Sequence, residues 1–304
     1  MDLPPHLRRL AASQDGVLVW RQLAAAGLHP SVARREVHAG RWVRLRRGAY
    51  LVDARTSRAG SPWVQARAVH LAHPEAVLAG TTAAALWGME QVPSGPAEVV
   101  LPPRRAVSSR PDLLPHVWSL TRDDTTVLRG MRLTTRSRTV LDLVCRLDRL
   151  TSLAVLDAAL RHGHVVTAEL PEMARRAAGR PGAAMKADLW RLADARAESA
   201  LESRVRLRCI EGGVPPDDLQ VEIRSRDGEL LARVDMVMRA RSRGRSGLLL
   251  VEADGAAVHA SPDALHRDRV RSNRLTTVGH DILRFTWRDT LDPWTIPSAI
   301  RAAQ

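Results

Sequence analysis

The run Gly247-Leu-Leu-Leu-Val-Glu252-Ala-Asp254-Gly255 constrains this chain more than any other stretch. Consecutive aliphatic residues ending in two acids and a glycine read as a buried central strand whose carboxylates stand where it leaves the core. Side chains alternate along a strand, so Glu252 and Asp254 project from one face. The preceding run, Leu230 to Met238, is also strand-like and carries Asp235, and pairing the two strands sets Asp235 beside Glu252. Three carboxylates at one sheet end are destabilising unless protonated or shared with a cation. Oxygen-only ligands suit a hard ion, Mg2+ or Mn2+. A solvated strand end with its acids in ordinary salt bridges satisfies the same spacing equally well.

The flanking sequence supplies the elements such a strand needs. Upstream, Glu198 to Ile210 reads as a helix with an apolar stripe of Leu201, Val205 and Cys209, stopped by Gly212-Gly213. Ser199-x-x-Glu202 has the form of a capping box, which gives Glu202 a structural reading of its own. Leu219 to Arg224 and Leu230 to Met238 flank the Asp227-Gly228 hairpin signal. Four arginines occupy residues 239–247 between the acid-bearing strands, and Ser261-Pro262 opens a helix with Arg267, Arg271 and Arg274 on one face. Strand Asp281 to Thr286 and a short helix from Thr295 follow. Residues 195–304 thus read as helix, three-stranded meander, helix, strand, closing on a short helix: an α/β domain with a mixed central sheet.

Residues 1–55 hold ten arginines against four acids, the densest basic segment of a chain whose formal charge is +13. A first helix carries Leu7 and Leu10, a second runs from Val19 to Ala26, and a third, capped by Ser31, ends at Gly40. Ala33 and Val37 face inward on the third, leaving Arg34, Arg35 and His38 outward. Trp42 to Val52 follows as two short strands with Arg44, Arg46 and Arg47 near the tip. That order is the layout of a winged helix-turn-helix, with a recognition helix for the major groove and a basic wing for phosphates. A helical bundle with a solvated charged face, or a winged unit used for protein contacts, fits the pattern less well.

Residues 56–194 read as an α/β middle domain, with helices at Trp63 to Ala72, Thr81 to Met89, Thr139 to Arg149 and Leu153 to Arg161. Strands are expected at Glu98 to Leu101 and His116 to Leu120. Asp142 and Asp157 sit in apolar helical surroundings, where an ion pair to a neighbouring arginine or a capping role outweighs catalysis. The chain as a whole is therefore expected to be a multi-domain α+β protein, divided at 1–55, 56–194 and 195–304 of its 304 residues. Two cysteines far apart, Cys145 and Cys209, argue for a reducing compartment and against a thiolate metal site. With no apolar run of membrane-spanning length and no signal peptide, the expected location is the cytoplasm, with no membrane partner. Of 46 basic residues only Lys186 is a lysine, and arginine forks suit phosphate.

Two family resemblances follow from these residues. The string GVLVWRQLAAAGLHPSVARREVHAGRWVRLRRGAYLV resembles the N-terminal winged-helix domain of AbiEi-type antitoxins from type IV abortive-infection toxin–antitoxin systems. AVLAGTTAAALWGM, MRLTTRSRTVLDLV and AVLDAALRHG resemble the domain that follows it in relatives. This resemblance implies binding to double-stranded DNA and an autoregulatory role, with a cognate toxin or a second copy of the chain as partner.

The ordered set of Glu202, Gln220, Asp235, Glu252-Ala-Asp254-Gly and His259, ending in GHDILRFTW, is similar to the very-short-patch-repair-like branch of the PD-(D/E)XK nucleases. That resemblance implies a restriction-endonuclease-like fold. Asp235 and Glu252 would be metal ligands, Glu202 and Asp254 would complete or orient the shell, and His259 would relay a proton. Arg267 and Arg271 would neutralise phosphate charge. Asp254 stands where the superfamily usually has lysine. The implied activity is Mg2+-dependent endonucleolytic cleavage of DNA. The alternative is a transcriptional regulator or antitoxin whose nuclease-like domain is inactive.

Overall fold

The computed structural model describes residues 3–52, 58–102, 109–239, 248–255, 274–277 and 279–304. Contacts group the chain into two compact units, Met1–Leu143 and Val144–Gln304.

The first unit opens with α1 (Pro5–Ser13), β1 (Val17–Val19), α2 (Trp20–Ala25), α3 (Pro30–His38), β2 (Val43–Arg46) and β3 (Ala49–Leu51). The strands form an antiparallel sheet in the order β1-β3-β2. Leu7, Leu18, Leu23, Ala33 and Trp42 share the core between helices and sheet. Two local expectations are corrected here. The β-branched Val17-Leu18-Val19 triplet pairs with Ala49–Leu51, so the second helix starts at Trp20 and not at Val19. His29, followed by Pro30 in the first turn, caps α3 in place of Ser31, whose own N–H donates to His29 Nδ1 at 3.3 Å. Buried Glu36 closes the C-terminal side of α3 by taking both Arg41 Nε (2.6 Å) and Nη2 (3.0 Å).

The same unit continues through α4 (Pro62–Ala72), β4 (Val77–Leu78), α5 (Gly80–Trp87), β5 (Ala97–Val100), β6 (Leu113–His116), β7 (Thr125–Leu128), β8 (Met131–Thr134) and α6 (Arg136–Arg146). Its mixed five-stranded sheet runs β6-β5-β4-β8-β7. Buried Arg67 of α4 ties two turns together, donating from Nε to Asp15 (2.9 Å) and from Nη2 to the Arg129 carbonyl (2.8 Å). Arg138 lies between Asp124 and Asp142, 2.8 Å from each, and all three are buried. Asp142 is thus held in an ion pair. Glu98 takes the Thr81 N–H and hydroxyl at the start of α5. A Cβ at Gly80 would fall 2.4 Å from Glu98 Oε2, so this close approach requires glycine.

In the second unit, α7 (Arg149–Arg161), α8 (Leu170–Ala177), α9 (Leu189–Leu192) and α10 (Ala200–Glu211) precede β9 (Asp218–Arg224), β10 (Leu230–Arg239), β11 (Leu248–Ala253), β12 (Asp281–Phe285) and α11 (Thr295–Ala303). The sheet order is β12-β11-β10-β9. β9, β10 and β11 form an antiparallel meander, and β12 joins β11 in parallel. Leu201, Val205 and Cys209 of α10 pack with Ile296 and Ile300 of α11 over Met236, Leu249 and Val251. The division between units falls inside α6, whereas the sequence placed a boundary at 194–195. The reason is polar as well as apolar: Arg206 of α10 donates to Asp157 of α7 (2.8 and 3.0 Å) and to the Leu192 carbonyl of α9 (2.6 Å). Burial pushes the Asp157 carboxyl upward, with Arg206 opposing that shift.

Candidate nucleic-acid interface and carboxylate site

The first candidate surface is built by α3 and the β2–β3 hairpin. Ala33 is buried and Val37 packs on the same core, which turns Arg34, Arg35 and His38 to solvent. On the hairpin, Arg44 and Arg47 are exposed. Arg46 departs from the expectation. The β2–β3 register shifts between Arg44 and Arg46, and a bulge of this kind re-aims the side chain that follows it. Arg46 is consequently turned inward, its side chain only 7% exposed and Nη1 3.5 Å from Asp112. Five of the six proposed N-terminal DNA contacts are therefore exposed, and the Arg46 side chain is not.

The second candidate site lies at the sheet end of the second unit. Ser199 caps α10 by accepting the Glu202 N–H at 3.1 Å, and Glu202 Oε2 accepts the Glu198 N–H at 2.8 Å. The Ser199 half of the capping box read from Ser199-x-x-Glu202 is present, whereas Glu202 reaches back to the Glu198 N–H and not to that of Ser199. The same Oε2 also accepts Gln220 Nε2 at 2.8 Å. Burial raises the Glu202 pKa, and Asp235 raises it further, against the lowering effect of these hydrogen bonds.

Gln220 occupies an unusual backbone position, φ +55°. Residues two apart on a strand ordinarily share a face. Here Leu219 and Met236 pack on the α10 side, while Val221, Ile223, Ala232 and Val234 pack in the opposite cluster. Both strands change face at the step bracketed by the Val234–Val221 and Met236–Leu219 pairs, the step that holds Gln220 and Asp235. Asp235 then accepts the Ala253 N–H at 2.8 Å through Oδ2 and faces Gln220 Nε2 at 3.4 Å through Oδ1.

Glu202, Gln220 and Asp235 thus form one network. Glu252 is directed differently: it is paired in register with Arg284 of β12, whose Nε donates to Glu252 Oε2 at 3.0 Å. Asp254 follows at the strand end, its N–H donating to the Phe285 carbonyl at 2.8 Å. Sequence reasoning missed Arg284, because the partner of a strand-end acid depends on which strand lies alongside. Gln220 was singled out only through the family pattern. His259, Arg267 and Arg271 lie outside the described residues, as do the arginines of the 240–247 segment.

Each of the two carboxylates expected to hold Mg2+ or Mn2+, Asp235 and Glu252, has one oxygen in a protein hydrogen bond. Asp235 Oδ2 is committed to a backbone N–H and Glu252 Oε2 to a guanidinium. Among the described residues, no group of three or more His, Cys, Asp or Glu side chains is placed to hold a metal ion.

The fold and these sites define a multi-part α+β protein with mixed sheets and an exposed arginine-rich helical surface. Residues 6–52 match the family described as transcriptional regulator, AbiEi antitoxin, and residues 75–192 match the AbiEi antitoxin C-terminal domain. Neither match extends past residue 192.

An uncharacterized protein of Mycobacterium tuberculosis strain CDC 1551, MT2308, is 33% identical over 154 residues, 51% of this chain and 54% of that protein. Uncharacterized protein Rv2248 of strain H37Rv is likewise 33% identical over 154 residues. The chain spans about half the length of these curated relatives. The crystal structure of RV2827C protein from Mycobacterium tuberculosis covers 62% of this chain and 77% of its own at 18% identity, with a TM-score of 0.38. Among the described residues no helix is long and apolar enough to cross a membrane.

Proposed function

We propose that this chain is a DNA-binding transcriptional regulator of the antitoxin type. In this reading α1 to β3 act as a winged helix-turn-helix, with α3 in the major groove and the β2–β3 hairpin along a phosphate strand. One observation carries it: Arg34, Arg35 and His38 are exposed along α3 with Arg44 and Arg47 exposed on the hairpin, inside the segment that matches a transcriptional regulator. Arginine forks supply bidentate contacts to guanine edges and to phosphate. A cognate toxin is proposed as the protein partner, from the antitoxin description of both matched domains.

The test is fluorescence anisotropy with a labelled duplex taken from immediately upstream of the gene. Tight, salt-dependent binding that is lost on Arg34→Ala plus Arg35→Ala supports the reading. Equal binding by both proteins sinks it.

A second reading is DNA cleavage by the unit that holds β9 to β12. The network that joins Glu202 of α10 and Gln220 of β9 to Asp235 of β10, the strand beside the one that carries Glu252, is the observation in its favour. Incubating supercoiled plasmid with magnesium, manganese or EDTA decides it, with Glu252→Ala as the control. Nicking that requires metal and disappears in the variant would establish the nuclease.

A further inference from the structure

Within the first unit a cavity of about 490 Å³ opens beside the hairpin, lined by Arg46, Gln65, Thr81, Thr82 and Asp112 among small apolar residues. Its volume lies in the range of small-ligand sites, and its mixture of an apolar body with a few polar groups is what such sites require. Arg46 is the group that gives the cavity a chemical preference. Its side chain is 7% exposed, it faces Asp112 at 3.5 Å, and its Nε is buried with no hydrogen-bond partner among the described residues. A guanidinium stays charged under any physiological condition, so it cannot relieve burial by losing its proton. Desolvation accordingly lowers its pKa, against the opposing pull of Asp112. Asp112 itself is half-exposed, with a side chain 49% accessible, which makes it an incomplete and displaceable counter-ion.

The geometry points to a binding site for a small carboxylate: a compact apolar molecule carrying one anionic group that pairs with Arg46 in place of Asp112. The fork of Arg46 matches a carboxylate in two parallel hydrogen bonds. Ala66, Met89 and Pro96 supply apolar wall. Because Arg46 belongs to β2, occupancy acts directly on the hairpin that carries Arg44 and Arg47. This extends the regulator reading to control by a ligand, and the control step rests on that reading. The ligand site does not.

The experiment is isothermal titration calorimetry of the full chain with benzoate as probe, and inorganic phosphate in a parallel titration, at fixed chloride. Benzoate is expected to bind in one step, at least tenfold weaker to Arg46→Gln and unchanged for Arg47→Gln. Since Arg46→Gln removes a buried group, Ala85→Trp serves as a second variant: Ala85 lines the cavity yet is exposed, so an indole there blocks the space without disturbing the core. It is expected to abolish binding with circular dichroism unchanged. Absence of benzoate binding, or equal binding by Arg46→Gln and Ala85→Trp, overturns the site. Binding of phosphate without benzoate overturns the carboxylate class. DNA affinity enters none of these outcomes, so failure of the regulator reading is read separately, from anisotropy.

Discussion

Gln220 Nε2 donates to Glu202 Oε2 across 2.8 Å while its own backbone stands at φ +55°. A left-handed backbone is rare for a residue with a Cβ and persists where its surroundings enforce it. Here the amide bridges a helix-capping acid to the strand acid Asp235. Glu202 has its pKa raised, so its charged form is disfavoured in the folded protein. A carboxyl raised on folding contributes its stability below the unfolded pKa and loses it as pH rises through the folded one. Glu202→Gln is therefore expected to be close to neutral at pH 4 and to gain on the parent protein as pH rises to 8. Glu202→Ala, which loses the cap contact to the Glu198 N–H, is expected to cost about 1 kcal/mol at both. Urea melts followed by hydrogen exchange in β9 and α10 check this. A Gln variant that loses ground as pH rises would refute it.

Arg138 offers a sharper stability test, because it lies between two buried acids, Asp124 and Asp142. Replacing it by methionine leaves carboxylates that must either repel each other or take up protons. Breaking a buried pair by removing one partner costs about 3–5 kcal/mol. Arg138→Met is expected to fall in that range, and Arg138→Met with Asp124→Asn and Asp142→Leu to recover much of it. A loss under ~1 kcal/mol in the single variant would show that the ion pairs contribute only at the surface level.

How much of this was readable beforehand depends on where the information lies. The α10 stripe of Leu201, Val205 and Cys209, the Asp227-Gly228 hairpin and the inward face of α3 follow local period, and each is found in the structure. The inward turn of Arg46 and the face change at Gln220 follow backbone irregularities, which strict alternation cannot reveal. The strands β7 and β8 were missed because Thr125–Leu128 and Met131–Thr134 are short and mix polar with apolar residues. Arg284 was missed for a different reason. Its meeting with Glu252 is fixed by the parallel β11–β12 register across a long connection, and no spacing rule reaches that far.

The contact between Glu36 and Arg41 predicts an acid-sensitive first unit. Glu36 is buried and held down to a pKa of about 2, chiefly by the Arg41 hydrogen bonds. A depressed carboxyl contributes stability above its unfolded pKa, lost as pH falls through the folded value. Glu36→Gln should therefore be less stable than the parent protein at pH 7, and the difference should shrink below pH ~4.3, the ordinary glutamate value, as pH falls toward 2. Hydrogen exchange in α3 and β2 measures it. A pH-independent difference would assign the loss to packing rather than to charge.

The DNA reading makes a prediction in which the slope counts for more than the affinity. Each phosphate neutralised releases condensed counterions, and log K falls with log salt by about 0.9 per contact. Arg34 and Arg35 are both exposed on α3. If each meets a phosphate, replacing both by alanine should flatten the slope by about 2. If one instead reads a base edge, the slope should change by about 1 while discrimination at one position falls by about 1–3 kcal/mol. Arg46→Gln supplies the contrast, since its side chain is turned to Asp112 and away from solvent. It should leave the slope where it was. A slope change for Arg46→Gln as large as for an α3 arginine would mean that the side chain swings out on the duplex, and the inward pairing with Asp112 would then belong to the free protein alone.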